Sequence, residues 1–194
     1  MRGLKKFVLA SVLMVVLAAP SFSLLQVQGV YTGFAKGTGV GLGLDFPLIP
    51  FFPTSLLISQ LGDTDINVSS GFSYGGQTWS AGTFKFSSLP IELQVKFPFG
   101  LMGVNWGVNV MADLLTGKVA GNNVSFPGGV YGGVFGEYKQ DILPLISGFA
   151  QLGYLIKLVD AQKAIDDQVG AGKIDLSGVD RSGLFYRFGV SIGF

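Results

Sequence analysis

Apolar residues alternate with small or polar ones along most of this chain. In the last segment Leu184, Tyr186, Phe188, Val190, Ile192 and Phe194 fall on one face, and Phe185, Arg187, Gly189, Ser191 and Gly193 on the other. Successive side chains of a strand point to opposite faces, so each such segment reads as a strand with one apolar face. Val40, Leu42, Leu44 and Phe46 stand opposite Gly39, Gly41, Gly43 and Asp45. Ile91, Leu93, Val95 and Phe97 stand opposite Glu92, Gln94 and Lys96. Met102, Val104, Trp106, Val108, Val110, Ala112 and Leu114 stand opposite Gly103, Asn105, Gly107, Asn109, Met111 and Asp113. The pattern predicts eight strands, near residues 25–35, 37–46, 54–61, 84–97, 101–114, 128–139, 145–158 and 183–194. The third has ambiguous faces. The sixth is equivocal, although Val130, Val134 and Tyr138 share a face. Several reach the ~9–11 residues that a tilted strand needs to cross hydrocarbon.

A soluble sandwich also has one apolar face per strand, with its polar face in water. The glycines argue against that arrangement. Glycine weakens a strand and is not needed on a solvated face, whereas the crowded interior of a small barrel needs small residues beside polar ones. Composition points the same way. Charged residues are 13% of the chain, against roughly 25% in soluble domains. Beyond the N-terminus no apolar run is long enough for a membrane-spanning helix. An apolar chain without such a helix lives in lipid by closing a sheet on itself, so that every backbone group is paired.

The N-terminus reads as an export signal. Arg2, Lys5 and Lys6 precede a short apolar stretch at residues 7–18, and Ser21-Phe22-Ser23 supplies small residues for a peptidase. Residues 1–23 are the expected cleaved signal and residues 24–194 the barrel. Removing the three basic residues lowers the 13 Lys+Arg to 10, against 12 Asp+Glu. No basic stripe suggests nucleic acid, and the chain has no cysteine for disulfides or thiolate chemistry.

Connection lengths alternate. Residues F-P-L-I-P-F-F-P, P-F-G and Q-D-I-L-P make short joins, while residues 62–83, 115–127 and 159–182 make long ones. Short turns on the periplasmic side and long outer loops are the habit of outer-membrane barrels. The first hairpin, near Lys36-Gly37-Thr38, is short on the long-loop side. Residues 62–83 contain strand-like halves around Gly75-Gly76, which leaves two expectations: an extension above an eight-stranded barrel, or a ten-stranded barrel. Residues 160–169 have helical composition, and Gly170 is placed to end the helix.

With these features the chain resembles the small bacterial outer-membrane β-barrels of the OmpA/OmpX-like class, over all of residues 24–194. The resemblance implies an all-β, transmembrane, antiparallel up-and-down barrel in the bacterial outer membrane. It also implies that Tyr186, Phe188, Val190, Ile192 and Phe194 form a closing-strand signal for the barrel-assembly machinery, with outer-membrane lipids as the other partner. No cell-wall-binding domain of the OmpA kind is expected after Phe194.

The chain has no histidine, the side chain whose ordinary pKa suits general acid–base work near neutral pH. No enzymatic activity and no cofactor are expected. Asp63-x-Asp65-x-Asn67 resembles the start of a calcium loop, but Val68 stands where the turn glycine belongs and Tyr74 where the bidentate glutamate belongs. It reads as a polar outer loop. The Asn67 and Asn123 sequons and the glycines of residues 37–43 are likewise discounted. Glu92, Lys96, Asp113, Glu137, Lys157 and Arg187 all project inward in this register. An eight-stranded interior is nearly filled by side chains, and buried charges must pair. A structural ion-pair plug is therefore expected, with Glu92 the first candidate partner for Arg187 and Glu137 the second. Such a barrel would serve envelope integrity, adhesion or surface contact, with an unknown surface ligand. The alternative is a narrow, porin-like pore or transporter for small or apolar solutes, which the inward Met111, Tyr131, Phe149 and Phe185 leave open.

Overall fold

The computed structural model describes residues 25–49, 52–98 and 103–193. The expected signal, residues 1–23, and Phe194 lie outside them. The chain runs β1 (Gln26–Gly33), β2 (Thr38–Ile49), β3 (Phe52–Leu61), β4 (Asp63–Val68), β5 (Phe72–Tyr74), β6 (Gln77–Trp79), β7 (Gly82–Pro98), β8 (Val104–Val119), β9 (Asn122–Leu143), β10 (Ile146–Val159), α1 (Ala161–Val169), β11 (Ile174–Asp175) and β12 (Gly183–Gly193).

Eight of these strands close a ring, in the order β1, β2, β3, β7, β8, β9, β10, β12 and back to β1, with every pair antiparallel. Closure leaves the ring no open edge. The ten-stranded alternative is set aside, because β4 pairs with β7 above the ring and β11 pairs with β4. β3 and β4 run along β7 in succession. Ile58 faces Ile91, Asp63 faces Ser87, and the register slips by one residue between them. Pro90, which has no N–H to give, sits opposite that slip.

The expected loop at residues 115–127 is instead a hairpin. β8 and β9 stay paired up to Val119 and Asn122. Ala120 and Gly121 both take positive φ, 48° and 83°, the geometry of the two-residue type I′ turn. The period of two continues through Leu115, Val119, Val124 and Phe126, all buried. Asp63, Asp65 and Asn67 likewise lie on strand β4 rather than in a loop. At residues 160–169 the helix forms as composition predicts. The Asp160 carboxylate accepts the Gln162 N–H at 2.9 Å, and Gly170, with φ 98°, closes the other end.

The outward face carries a continuous apolar band, including Val40, Leu42, Val110, Val134, Leu152 and Ile156, each more than half exposed. Aromatic residues gather at its lower margin, near the short turns. Trp106 stacks on Phe97 at 4.4 Å and Phe97 meets Phe52 edge-on, with Tyr138 on the neighbouring strand. Tyr31 and Tyr186 sit together nearer the upper margin. Inside, glycines and large side chains are complementary. A Cβ at Gly107, Gly153 or Gly189 would strike the ring of Phe135, Phe185 or Phe149 respectively. That packing is the physical reason for the Gly-rich inward faces.

Above the rim, β4, β7, β8 and β9 continue as one wall. Its inner face carries a second apolar core, in which Ile66, Trp79, Phe86, Leu115 and Phe126 pack with Ile165 of α1. Trp79 is stacked on Phe72 at 5.3 Å and on Phe86 at 5.8 Å. The β5–β6 hairpin, α1 and β11 thus form a cap built around their own core.

Candidate functional site

The lumen is the place where the polar faces meet. From the short-turn end upward it is filled in layers. Lowest are Asp45 on β2, Lys96 on β7, and Glu137 and Lys139 on β9. The Lys96 ammonium lies 2.9 Å from Glu137 and 3.6 Å from Asp45, and Lys139 lies 3.8 Å from Asp45. Ser55 donates to Asp45, Lys139 to Gln26, and Asn105 to Glu137 at 3.0 Å. A cavity of about 370 Å³ opens below this layer, lined by these groups together with Phe52, Pro47 and Pro53.

The next layer centres on Arg187. Its guanidinium donates to Glu92 at 2.6 Å, to Gln151 at 2.7 Å and to Thr32 at 2.9 Å. The other Glu92 oxygen accepts from Asn109 at 2.6 Å and Gln94 at 2.7 Å. Gln151 donates onward to Glu137 at 2.7 Å, which ties the two layers together. Removing two charges from water is costly, and only such fully bonded geometry offsets it.

Above the charges lies an apolar layer of Phe34, Leu61, Met111, Tyr131, Phe135, Leu155 and Phe185. Phe149 packs lower, with Val30 and Leu57. The highest lumenal pair is Asp113 with Arg181, 3.3 Å apart and both buried, with Ser88 donating to Asp113 at 2.6 Å. Arg181 also donates to the Lys36 carbonyl. Tyr131 donates towards the carbonyls of Gly128 and Val179. These bonds hold residues 176–182 down as a lid.

A cleft of about 480 Å³ lies between this lid and the rim, lined in part by Lys36, Lys157, Asp160, Asp175 and Asp180. Partial burial would raise the Asp180 carboxyl, but the Lys157 ammonium at 2.8 Å and the N–H and hydroxyl of Ser182 hold it below its ordinary range. The Ser177 N–H lowers Asp175 in the same way.

Five of the six charges read as inward, Glu92, Lys96, Asp113, Glu137 and Arg187, lie buried in the lumen. Lys157 does not join them. It sits at the upper rim, its side chain 29% exposed, between Asp160 and Asp180. Arg181, Asp45, Lys139 and Gln151, which are outside the expected charge set, complete the network together with Asn109, whose inward side the alternation gives. Asp45 and Asn109 stand on faces the alternation had marked as polar, whereas Arg181 lies in a segment with no period. The closing-strand residues Tyr186, Phe188, Val190 and Ile192 project outward, and Phe194 lies outside the described residues. Among the described residues no group of acids could hold a metal ion.

Neither a family model nor a curated protein matches the chain. Solved structures do. A major outer membrane protein from Thermus thermophilus superposes with a TM-score of 0.52 at 14% identity, over 89% of this chain and 100% of that one. The N-terminal β-barrel domain of Pseudomonas aeruginosa OprF gives 0.46 at 10% identity, over 88% and 97%. Neisserial surface protein A gives 0.46 at 11% identity, over 88% and 95%. The fold of this chain is that of the small outer-membrane β-barrels of the OmpA/OmpX-like kind.

Proposed function

We propose that this chain is an integral, non-enzymatic protein of the bacterial outer membrane, exported through a cleaved signal at residues 1–23. Its closed barrel carries the cap at the cell surface for envelope integrity, adhesion or surface contact. The observation that carries this reading is the filled lumen: the Arg187–Glu92 pair bridges it and an apolar layer lies directly above. The apolar outer band with its lower aromatic cluster suits a bilayer and its interface. The carboxylates and cations of the lumen are engaged with one another, which leaves none poised as a free base. The outward face of Tyr186, Phe188, Val190 and Ile192, with Phe194, is read as the surface for the barrel-assembly machinery.

The test is a planar-bilayer recording of the refolded protein. The expected trace shows no stable unitary steps. Reproducible stepwise conductance would replace the plug with a narrow pore for small solutes.

A further inference from the structure

We propose that the lumen holds a built water site at its short-turn end, a blind hydrated inlet that reaches up to Gln28 and Ser191 and stops beneath Phe149. Its ligand is a small cluster of water molecules held by the Gln28 amide and the Ser191 hydroxyl. The proposal rests on the filled-lumen reading above and sets how far solvent enters from the end turned to the periplasm.

The register stacks the inward residues of β10, β12 and β1 in rows. Lowest are Gly193 and Gln26, with the Leu145 carbonyl accepting the Gly193 N–H at 2.8 Å. Above them Ser147 faces Ser191 and Ser191 faces Gln28, and Asp141 of β9 extends this polar row beyond Ser147. In the third row Phe149 faces Gly189 and Gly189 faces Val30. The fourth is Gln151, Arg187 and Thr32, the charged layer already described. The third row is dry. The Phe149 ring occupies the space over Gly189 where a Cβ would stand, and it packs with Val30 and Leu57. The polar second row therefore lies directly under an apolar ceiling.

Two independent observations point to a ligand in that row. Gln28 and Ser191 are each 1% exposed, yet the amide nitrogen and oxygen of Gln28 and the hydroxyl of Ser191 have no hydrogen-bond partner among the described residues. Buried polar groups left dry forfeit the hydrogen bonds they make in the unfolded chain. The second observation is a cavity of about 400 Å³ at the foot of the same strands, lined in part by Leu145, Gly193, Gln26, Ser147 and Asp141. Its roof is thus the row that carries the unpartnered groups. Gly193 has no side chain to stand between the cavity and the Ser191 hydroxyl above it. Ser147 is spent on Asp141 at 2.6 Å, so it does not serve its neighbour. The Gln28 amide offers one donor group and one acceptor side by side, without charge. Water matches that pair, because it donates and accepts at once and makes about three bonds to buried polar groups. An ion of either sign would satisfy one end of the amide and oppose the other.

The experiment is cysteine labelling, in a chain that has no cysteine of its own. Ser191→Cys, Val30→Cys and Leu145→Cys are refolded singly into phosphatidylcholine vesicles, and heat-modifiable gel mobility verifies folding. The probe is a small hydrophilic methanethiosulfonate, supplied on both sides of the vesicle and read by mass. Such a reagent attacks a thiolate, which needs water around it. Ser191→Cys should react within about ten-fold of the rim position Leu145→Cys, and Val30→Cys on the order of a hundred-fold more slowly. Ser191→Cys as slow as Val30→Cys overturns the inlet and leaves the plug standing. Val30→Cys as fast as Ser191→Cys overturns the dry ceiling and the filled-lumen reading with it. Should Ser191→Cys fail to fold, Gln28→Leu decides by urea titration. Removing a hydrated amide lowers the midpoint, whereas removing a dry, unpartnered one raises it. A midpoint that does not fall overturns the water site.

Discussion

Arg187 and Glu92 meet across the full width of the barrel. β12 and β7 stand four strands apart in either direction around the ring of eight, and the guanidinium and carboxylate still close to 2.6 Å. The pair works as a strut across the lumen as well as a plug within it. Thr32, Gln151, Gln94 and Asn109 bond the remaining edges of both groups.

Breaking the strut from one side leaves a buried charge without its counterion. Glu92→Leu or Arg187→Met should each lower stability by about 3–5 kcal/mol. The double variant should fall well short of the sum, because neither charge is then left behind. Urea titration in lipid vesicles measures this, and additive losses would mean that the two groups do not act as a pair.

The height of the apolar band can be read with arginine. Val108 faces outward within it, and Thr116 stands one row above its edge. Val108→Arg should cost about 2–4 kcal/mol in a bilayer, while Thr116→Arg should cost close to zero, since the penalty fades at the interface. Equal costs at the two sites would displace the band from its assigned position.

The cap has its own core, so it should loosen without opening the barrel. Trp79 is fully buried among Phe72, Phe84, Phe86 and Phe126. Trp79→Ala should cost the cap about 3–5 kcal/mol and admit proteases at residues 69–82, while heat-modifiable gel mobility of the barrel persists. Loss of that mobility would show that cap and barrel fold as one unit.

For the closing strand, Phe194→Asp should leave export intact and block insertion. Fractionation with heat-modifiable mobility is the readout. Folded variant protein in the outer membrane at the normal level would remove Phe194 from the assembly signal.

Much of this architecture was legible in the residues themselves. Parity along a strand is a local property of the extended backbone, so alternation alone sends Glu92, Lys96, Asp113, Glu137 and Arg187 inward and Val108, Tyr186 and Phe188 outward. Asp160 and Gly170 mark the two ends of α1 by equally local rules of capping. The tertiary structure decided who meets whom. Asp45 joins Lys96, and Arg181 joins Asp113 over 68 residues of chain, because strand stagger and ring closure set depth, and neither leaves a trace in any single segment. Lys157 shows the limit from the other side: its parity is inward, but its height at the rim gives it Asp160 and Asp180 as partners instead of the lumen. The cap core was hidden for a related reason. Trp79, Ile165 and Leu176 come from short or irregular pieces with little period to read, and only the wall of β4, β7, β8 and β9 gives them a common surface to bury.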